Sequence, residues 1–396
     1  ETDGMFFYFY DLKNQTMKHK LKILISSVGS LVGTNLLDVL ESQYCYRRDL
    51  VYLIGTNSIA NSINNFKCDK CYLMPTTATP DFTRRMTDIL RKEKPDLILN
   101  GRDEDAEAIA LILMDNPDLK AKLPYGKLHT IRYALNKWET WLFTQKYSLP
   151  FANTFVRDKS GGVSELKSFA EEAGYPMIAK PVEGFASIGV FFIRNWQEAE
   201  YAFSLEDYLI QEYLGKPDAM DDYFRMMDGP TPLFANAPDV YHHTATTFIS
   251  RNGSISKVFT SKNVHKNGAT IEFHKLYIEE LEALGLAYAK AIYQEGGYGP
   301  LGAQFKLDRN NNWKAQEMNM RANGNTYPRF LMGQDDVGLI VNEFFPDFDF
   351  PQYQPDEKEV GFFIGKTLTA SKLSIEDLKG LENHKVWEFI PDAHRR

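Results

Sequence analysis

Two stretches of this 396-residue chain carry residue types and spacings that could do chemistry. The first reads YPMIAKPVEGFASIGVFFI, with Lys180 at the end of one apolar run, a glycine- and serine-containing loop over 183–189, and a second apolar run leaving at once. Folded as a hairpin, it sets a fixed positive charge beside a tip of small residues. Backbone N–H groups at Ser187 and Gly189 can then approach phosphate oxygens closely, because glycine permits close approach and successive amides form anion-binding concavities. It is not a P-loop, since no Gly-Lys-Ser/Thr follows the glycines and no helix starts there. The bland alternative is a surface hairpin with a chance lysine.

The second stretch reads GAQFKLDRNNNWKAQEMNMRANGN, two strand-like runs joined by an Asn-rich turn. Strand alternation puts Glu317, Asn319 and Arg321 on one face, with Gln304 on the preceding strand. A carboxylate and amide oxygens suit a hard cation such as Mg²⁺, which takes one or two carboxylates together with substrate phosphates. An adjacent arginine can hold a transferred phosphoryl group by a forked contact. The alternative is an exposed polar strand face.

These residues need a scaffold, and the chain supplies strand–helix alternation from Leu21. Strand candidates are LKILISSVG, VYLIGTN, CYLMP and PDLILNG. Helices are expected after Gly29, from Pro80 to about Lys92, and from Asp103. This rhythm predicts a parallel sheet covered on both faces. It is not a dinucleotide fold, because Gly29-Ser-Leu-Val-Gly33 is an incomplete fingerprint and the second strand ends Gly55-Thr56-Asn57 with no acidic residue for a ribose. From Tyr125 the texture changes. Helical spacing over 131–147 and 163–173 leads into the Lys180 hairpin, and LIQEYL follows as a strand. Residues 215–240 read as an insertion or long loop. TATTFIS and SISKVFT read as a hairpin about Asn252-Gly253, a helix spans about 278–294, and a final helix lies near Ile375. Asp103, Glu104 and Asp105 sit where a strand ends and a helix begins. They either cap that helix or hold a substrate ammonium.

Composition excludes several classes. A net charge of −8 argues against a general nucleic-acid binder, which needs a basic stripe to displace counterions. No stretch approaches the roughly 18 apolar residues of a membrane-spanning helix. The opening MFFYFY run reads as a strand or as part of a leader over residues 1–16. Three cysteines fit a reducing, cytoplasmic setting, and the Cys68–Cys71 pair reads as two ordinary thiols.

With these motifs in hand, the chain resembles the ATP-grasp superfamily, in particular the group of the carbamoyl phosphate synthetase large chain and biotin carboxylase, over most of its length from Leu21 to about Gln334. EMNMRANG resembles that family's E-x-N-P-R motif, with Met320 where proline is usual. Gln304, 13 residues before Glu317, matches its other metal ligand. LNKWETW resembles the first ATP lysine, here Lys137, and IAKPVEGFASIGV the second lysine and phosphate loop. LIQEYL resembles the linker that cups adenine, which implies contacts from Glu212, Tyr213 and Leu214. The family's usual ribose-binding acid is displaced by the 215–241 segment, and His242 takes its place. Lys262, Lys266 and Gly268 match basic or small positions near phosphate or substrate more weakly.

The resemblance implies an α/β architecture: a Rossmann-like parallel-sheet domain over 17–124, then a two-lobed ATP-grasp domain over 125–346, with a small lobe at 137–214 and a metal-binding lobe at 242–346, and a C-terminal segment from 347. It implies ATP with Mg²⁺ or Mn²⁺ as cofactors and small-molecule carboxylate and amine partners, with no nucleic acid, no membrane and a homodimer as the candidate assembly. Lys180 and Arg321 would be the catalytic cations, and the phosphate loop would close over the nucleotide. The implied reaction is amide or peptide bond formation through an acyl phosphate, releasing ADP and phosphate. A carboxylase or small-molecule kinase on the same scaffold, or a non-catalytic nucleotide-binding module, are the competing readings.

Overall fold

In a computed structural model, residues 20–184, 187–225, 227, 238, 241–266, 269–355, 362–367 and 370–390 are described. Residues 1–16, expected as a strand or a leader, Gly268 and most of the stretch from 226 to 240 lie outside them.

The N-terminal unit is a sheet in the order β15-β3-β2-β1-β4. Strands β1 (Leu21–Ser26), β2 (Val51–Asn57), β3 (Lys70–Leu73) and β4 (Leu97–Asn100) run parallel. Their apolar runs are nearly continuous because both faces are covered. On one face α1 (Leu31–Leu40) lies over Ile23, Ile25 and Leu53, and on the other α2 (Asp81–Glu93) and α3 (Asp103–Asp115) enclose Leu24, Ile54 and Ile98. Ser30 caps α1, its Oγ accepting from the Gly33 N–H at 2.9 Å. A Cβ at Gly33 would meet the Val28 carbonyl oxygen at 2.3 Å, so this glycine lets the helix start against the strand it follows.

A small antiparallel sheet, β5-β8-β6-β7, comprises β5 (Thr154–Val156), β6 (Met177–Pro181), β7 (Phe191–Ile193) and β8 (Tyr208–Glu212). It packs on α6 (Val163–Ala173) and α7 (Trp196–Ser204). Ahead of it, the helical stretch expected over 131–147 is two helices, α4 (Leu128–Leu135) and α5 (Lys137–Lys146). Asn136 breaks them, because its side chain accepts from the N–H groups of Trp138 and Glu139 and so starts a new helix at Lys137. Within the 215–240 segment, α8 (Asp221–Arg225) is a short helix.

The large sheet has the order β13-β12-β9-β10-β11-β14. Its members are β9 (Tyr241–Ile249), β10 (Phe259–Lys266), β11 (Ala269–Leu276), β12 (Gly299–Leu307), β13 (Trp313–Asn319) and β14 (Ile364–Gly365). The hairpin about Asn252-Gly253 forms, but 254–258 is not a continuous strand. Ile255 bridges Ile249 singly, and regular pairing resumes at Phe259 opposite Thr246. The strand therefore starts later than its sequence suggested and runs on through Lys262 and Lys266. One face of this sheet is covered by α9 (Glu279–Gln294), with Tyr288 and Ile292 against Leu301 and Phe305.

Helices α10 (Thr326–Leu331) and α11 (Asp336–Phe344) return to the N-terminal unit, where Phe330, Val337, Ile340 and Val341 join the core of α1 and β1. Arg47, fully buried, is held there by a forked pair to Asp335 and by the Pro351 carbonyl. The chain ends on the same unit: α12 (Ile375–His384) is followed by β15 (Val386–Glu388), which adds antiparallel to β3. No helix among the described residues is long and apolar enough to cross a membrane.

Candidate functional site

Lys180 lies near the end of β6, 8% exposed, and its Nζ donates to the Gln316 carbonyl at 3.1 Å. That carbonyl belongs to a β-bulge. Gln304 faces Glu317 and Phe305 faces Ala315, so Gln316 is the extra residue on β13. The bulge thus joins the small sheet to the large one beside the candidate metal ligands. Burial, then the neighbouring Lys137, lowers the Lys180 ammonium to about 7, with Glu317 opposing.

Lys137 opens α5. Its N–H donates to the Val182 carbonyl at 3.0 Å, and its Nζ reaches the Gly184 carbonyl at 3.1 Å. Asn136 bonds Glu183 on the same segment at 2.8 Å. The helix start is therefore pinned to the exit of the Lys180 strand, which brings the two lysines together. Burial lowers Lys137 too, against Glu317, Asp103, Glu183 and Glu104, which favour its charge.

Gln304 and Glu317 are cross-strand partners, and Asn319 lies opposite Gly302. The three share one face, and Asn319 Nδ2 comes within 3.4 Å of Glu317 Oε1. Arg321 follows the strand, donating through Nη1 to the Ala322 carbonyl at 2.9 Å and through Nη2 to Asp103 at 2.5 Å. Burial opposes its charge, but Asp103, then Glu317 and Tyr125, more than offset that and raise it. Arg321 Nε is buried without a hydrogen-bond partner among the described residues. Asp103, Glu104, Lys137, Gly184, Glu317 and Arg321 line one cavity of about 90 Å³.

Asp103 has a role that neither sequence reading offered. The N-cap of α3 is Arg102, with no side-chain cap bond, and Asp103 is the ion partner of Arg321. Nothing in the local sequence signals a contact spanning 218 residues.

In the loop expected to hold phosphate, Ser187 and Gly189 both take positive φ, 49° and 77°. Their turn is closed by Val190 N–H to the Ser187 carbonyl and by the Tyr208 hydroxyl to the Gly189 carbonyl at 3.0 Å. Phe185 and Ala186 lie outside the described residues.

The linker is more committed than its motif implied. Glu212 Oε1 accepts from Asn153 N–H at 2.8 Å and from Lys314 Nζ at 2.6 Å. Tyr213 and Leu214 are buried, and the Tyr213 ring packs against Phe192 in a core with Met220 and Tyr223. The Glu212 carboxylate is thus engaged by Asn153 and Lys314, and the side chains of Tyr213 and Leu214 are buried.

His242 is buried on the face that carries Gln304, two positions from Thr244, the cross-strand neighbour of both Gln304 and Ser261. Its ring lies 4.2 Å from that of His265. Burial, then His265 and Lys306, holds His242 well below the usual histidine range, and burial with Lys306 and Lys366 brings His265 to about 4. Both rings are neutral near pH 7. His265 and Lys306 escaped the sequence reading: Lys306 alternates in step with Gln304, but His265 is out of step with Lys262 and Lys266, and it is the pairing of β10 with β9 that puts it on the His242 face. Lys262 is corrected by the same alternation: it pairs with His243, on the opposite face from Gln304, and its ammonium sits over the Tyr241 ring at 4.6 Å.

No protein-family profile matches this chain, and no curated protein sequence matches it. Solved structures do. An N5-carboxyaminoimidazole ribonucleotide synthetase in an ADP complex matches with a TM-score of 0.58 at 15% identity, over 86% of this chain and 80% of that one. The Staphylococcus aureus N5-carboxyaminoimidazole synthetase complexed with ADP matches at 0.60 and 14%, over 85% and 80%. The biotin carboxylase domain of Hydrogenobacter thermophilus 2-oxoglutarate carboxylase, solved with MgADP, ADP and bicarbonate, matches at 0.60 and 15%, over 85% and 72%. At such identities the likeness is one of fold: this chain shares the α/β ATP-grasp fold of these structures.

Proposed function

We propose that the chain is an ATP- and Mg²⁺-dependent ligase that joins a carboxylate to an amine through an acyl phosphate, releasing ADP and phosphate. One observation carries the reading. Glu317 acts electrostatically on Lys137, Lys180 and Arg321 together, while sharing a strand face with the oxygen donors Gln304 and Asn319. A carboxylate that acts on all three cations and is flanked by amide oxygens suits a polyphosphate carrying a hard cation. The donor set fits Mg²⁺, or Mn²⁺ in its place, held by Gln304, Glu317 and Asn319; when bound, the ion supplies charge neutralisation at the phosphates.

The residues of this chain then have distinct tasks. Lys137 and Lys180 carry phosphate charge, and the Ser187–Gly189 turn offers backbone amides to the same oxygens. The linker segment at 212–214 would meet the adenine through its backbone, and His242, neutral, would offer a ring nitrogen on the ribose side. Arg321, paired with Asp103, stabilises the phosphoryl group as a substrate carboxylate accepts it. The amine then displaces phosphate. Catalysis on this scheme is positioning and electrostatic stabilisation, and needs no side-chain nucleophile.

A second reading takes bicarbonate as the acid, making the enzyme a carboxylase. The observation favouring it is that the similar structures include an N5-carboxyaminoimidazole ribonucleotide synthetase and a biotin carboxylase domain. A screen of acids and amines for phosphate release finds the pair. ¹⁸O in the acid's carboxylate should then appear in the released phosphate, because that oxygen becomes the bridge to phosphorus and leaves with it. AMP as product, or unlabelled phosphate under full turnover, would refute the acyl-phosphate route. A stable phosphorylated product without free phosphate would identify a kinase.

A further inference from the structure

A second cavity opens at the carboxyl ends of β1, β2, β3 and β4, lined by Ser27, Thr56, Asn57, Thr77, Arg102 and Asp105 among others. The sheet order puts β1 between β2 and β4, so the chain reverses its winding direction there. Open α/β sheets bind ligands outside the carboxyl ends of their strands at such a switch point. The proposed ATP chemistry uses none of these six residues.

Three features mark the cavity as a built site. Asp105 is 5% exposed, and its Oδ2 has no hydrogen-bond partner among the described residues, although Ser26 and Ser27 bond to the same side chain. A buried carboxylate oxygen without a donor is costly, and a ligand that brings one removes the cost. Ser27, between β1 and α1, has φ of 44°, a left-handed conformation that a non-glycine residue adopts rarely and mostly where the surroundings impose it. Arg102 brings a guanidinium to the same cavity. One cation, one anion and a ring of hydroxyl and amide groups complement a small zwitterion.

We propose that this cavity binds an α-amino acid, its ammonium on Asp105 and its carboxylate toward Arg102, and that this amino acid is a substrate of the ligase; the last step rests on the proposed function. The first turn of α3 supports the assignment. Arg102 and Asp105 line this cavity, while Asp103 and Glu104 between them line the cavity of Arg321 and Glu317. A ligand held by the former pair is presented beside the latter.

Titration calorimetry on the full chain, with a panel of α-amino acids and no nucleotide, tests the binding. At least one amino acid should bind with 1:1 stoichiometry. Its N-acetyl and decarboxylated forms should bind at least about tenfold more weakly, as expected when one charged hydrogen-bond set is lost. Asp105→Asn should weaken binding similarly. Thr76→Trp, a bulky change at an exposed position on the cavity rim, should do the same without disturbing the core. The proposal falls if no amino acid binds, if the N-acetyl form binds equally, if Thr76→Trp leaves affinity unchanged, or if ribose phosphates bind there instead. Calorimetry with ATP and Mg²⁺ on the same samples separates the two ideas. Nucleotide binding without amino-acid binding overturns this site alone, and the converse overturns the ATP reading alone.

Discussion

Replacing Lys180 with methionine should make the protein more stable and inactive. Burial and the neighbouring Lys137 hold the Lys180 ammonium at about 7 rather than its ordinary 10.5. A base whose folded-state pKa is depressed binds fewer protons when folded than when unfolded. Its burial therefore costs stability in full below the folded value, and the cost fades as pH rises toward the unfolded value. From 10.5 to about 7, at about 1.4 kcal/mol for each tenfold change, the cost at pH 6 is about 5 kcal/mol, falling to about 3 kcal/mol at pH 8.5 and below about 1 kcal/mol at pH 10. Methionine keeps the length of the side chain and loses the charge, together with one hydrogen bond to the Gln316 carbonyl, which contributes about 1 kcal/mol. Urea denaturation of nucleotide-free wild type and Lys180→Met at pH 6, 7, 8.5 and 10 should show the variant more stable at pH 6 by a few kcal/mol, with the gap closing by pH 10. ATP turnover should be lost. A variant less stable at every pH, or a gap independent of pH, would refute the electrostatic account of this lysine.

Glu317→Gln should lower turnover by at least about a hundredfold while the far-UV circular dichroism is unchanged, since it removes the central carboxylate and spares the strand; wild-type turnover would exclude Glu317 as a metal ligand. Lys137→Ala should weaken ATP binding about tenfold or more and adenosine binding little, as calorimetry would read, because adenosine has no phosphate for that charge. Arg47→Ala should cost about 3–5 kcal/mol of stability in urea, because it strands the buried Asp335 carboxylate that Arg47 neutralises. A loss below about 1 kcal/mol would show that this pair does not secure α10 and α11 to the N-terminal unit.

The positions proposed to carry the chemistry lie on faces that local periodicity reports. Gln304, Glu317 and Asn319 obey strand alternation, and Lys180 ends an apolar run that is indeed β6. The parallel N-terminal sheet was legible for the same reason. What was hidden depends on distant contacts or on irregular backbone. Asp103 meets Arg321 across most of the chain, and Arg47 meets Asp335 likewise. The bulge at Gln316 leaves no mark in composition, yet it sets which carbonyl meets Lys180. The break at Asn136 was readable in principle, since asparagine is a strong N-cap, but the apolar residues on both sides keep helical spacing through it. Strand β15 was lost because three residues carry no period, and only pairing with β3 defines them.

The arrangement of charge explains why the three cations of the site are treated differently. Arg321 must stay charged whether or not phosphate is present, because a guanidinium does not lose its proton in proteins, and so the fold gives it a permanent counter-ion in Asp103 from the other unit. A lysine can respond instead by releasing a proton. Among the described residues Lys180 has a backbone carbonyl as its one hydrogen-bond partner and a second lysine beside it, and its ammonium falls to about 7. Lys137 is lowered by burial too, but four carboxylates oppose the fall. The cleft is thus balanced without a ligand by one fixed ion pair and two adjustable lysines. An arriving polyphosphate would find Arg321 already charged and would draw a proton onto Lys180. The same balance ties the N-terminal sheet to the chemistry: without Asp103, Arg321 would lose its counter-ion before any substrate arrived.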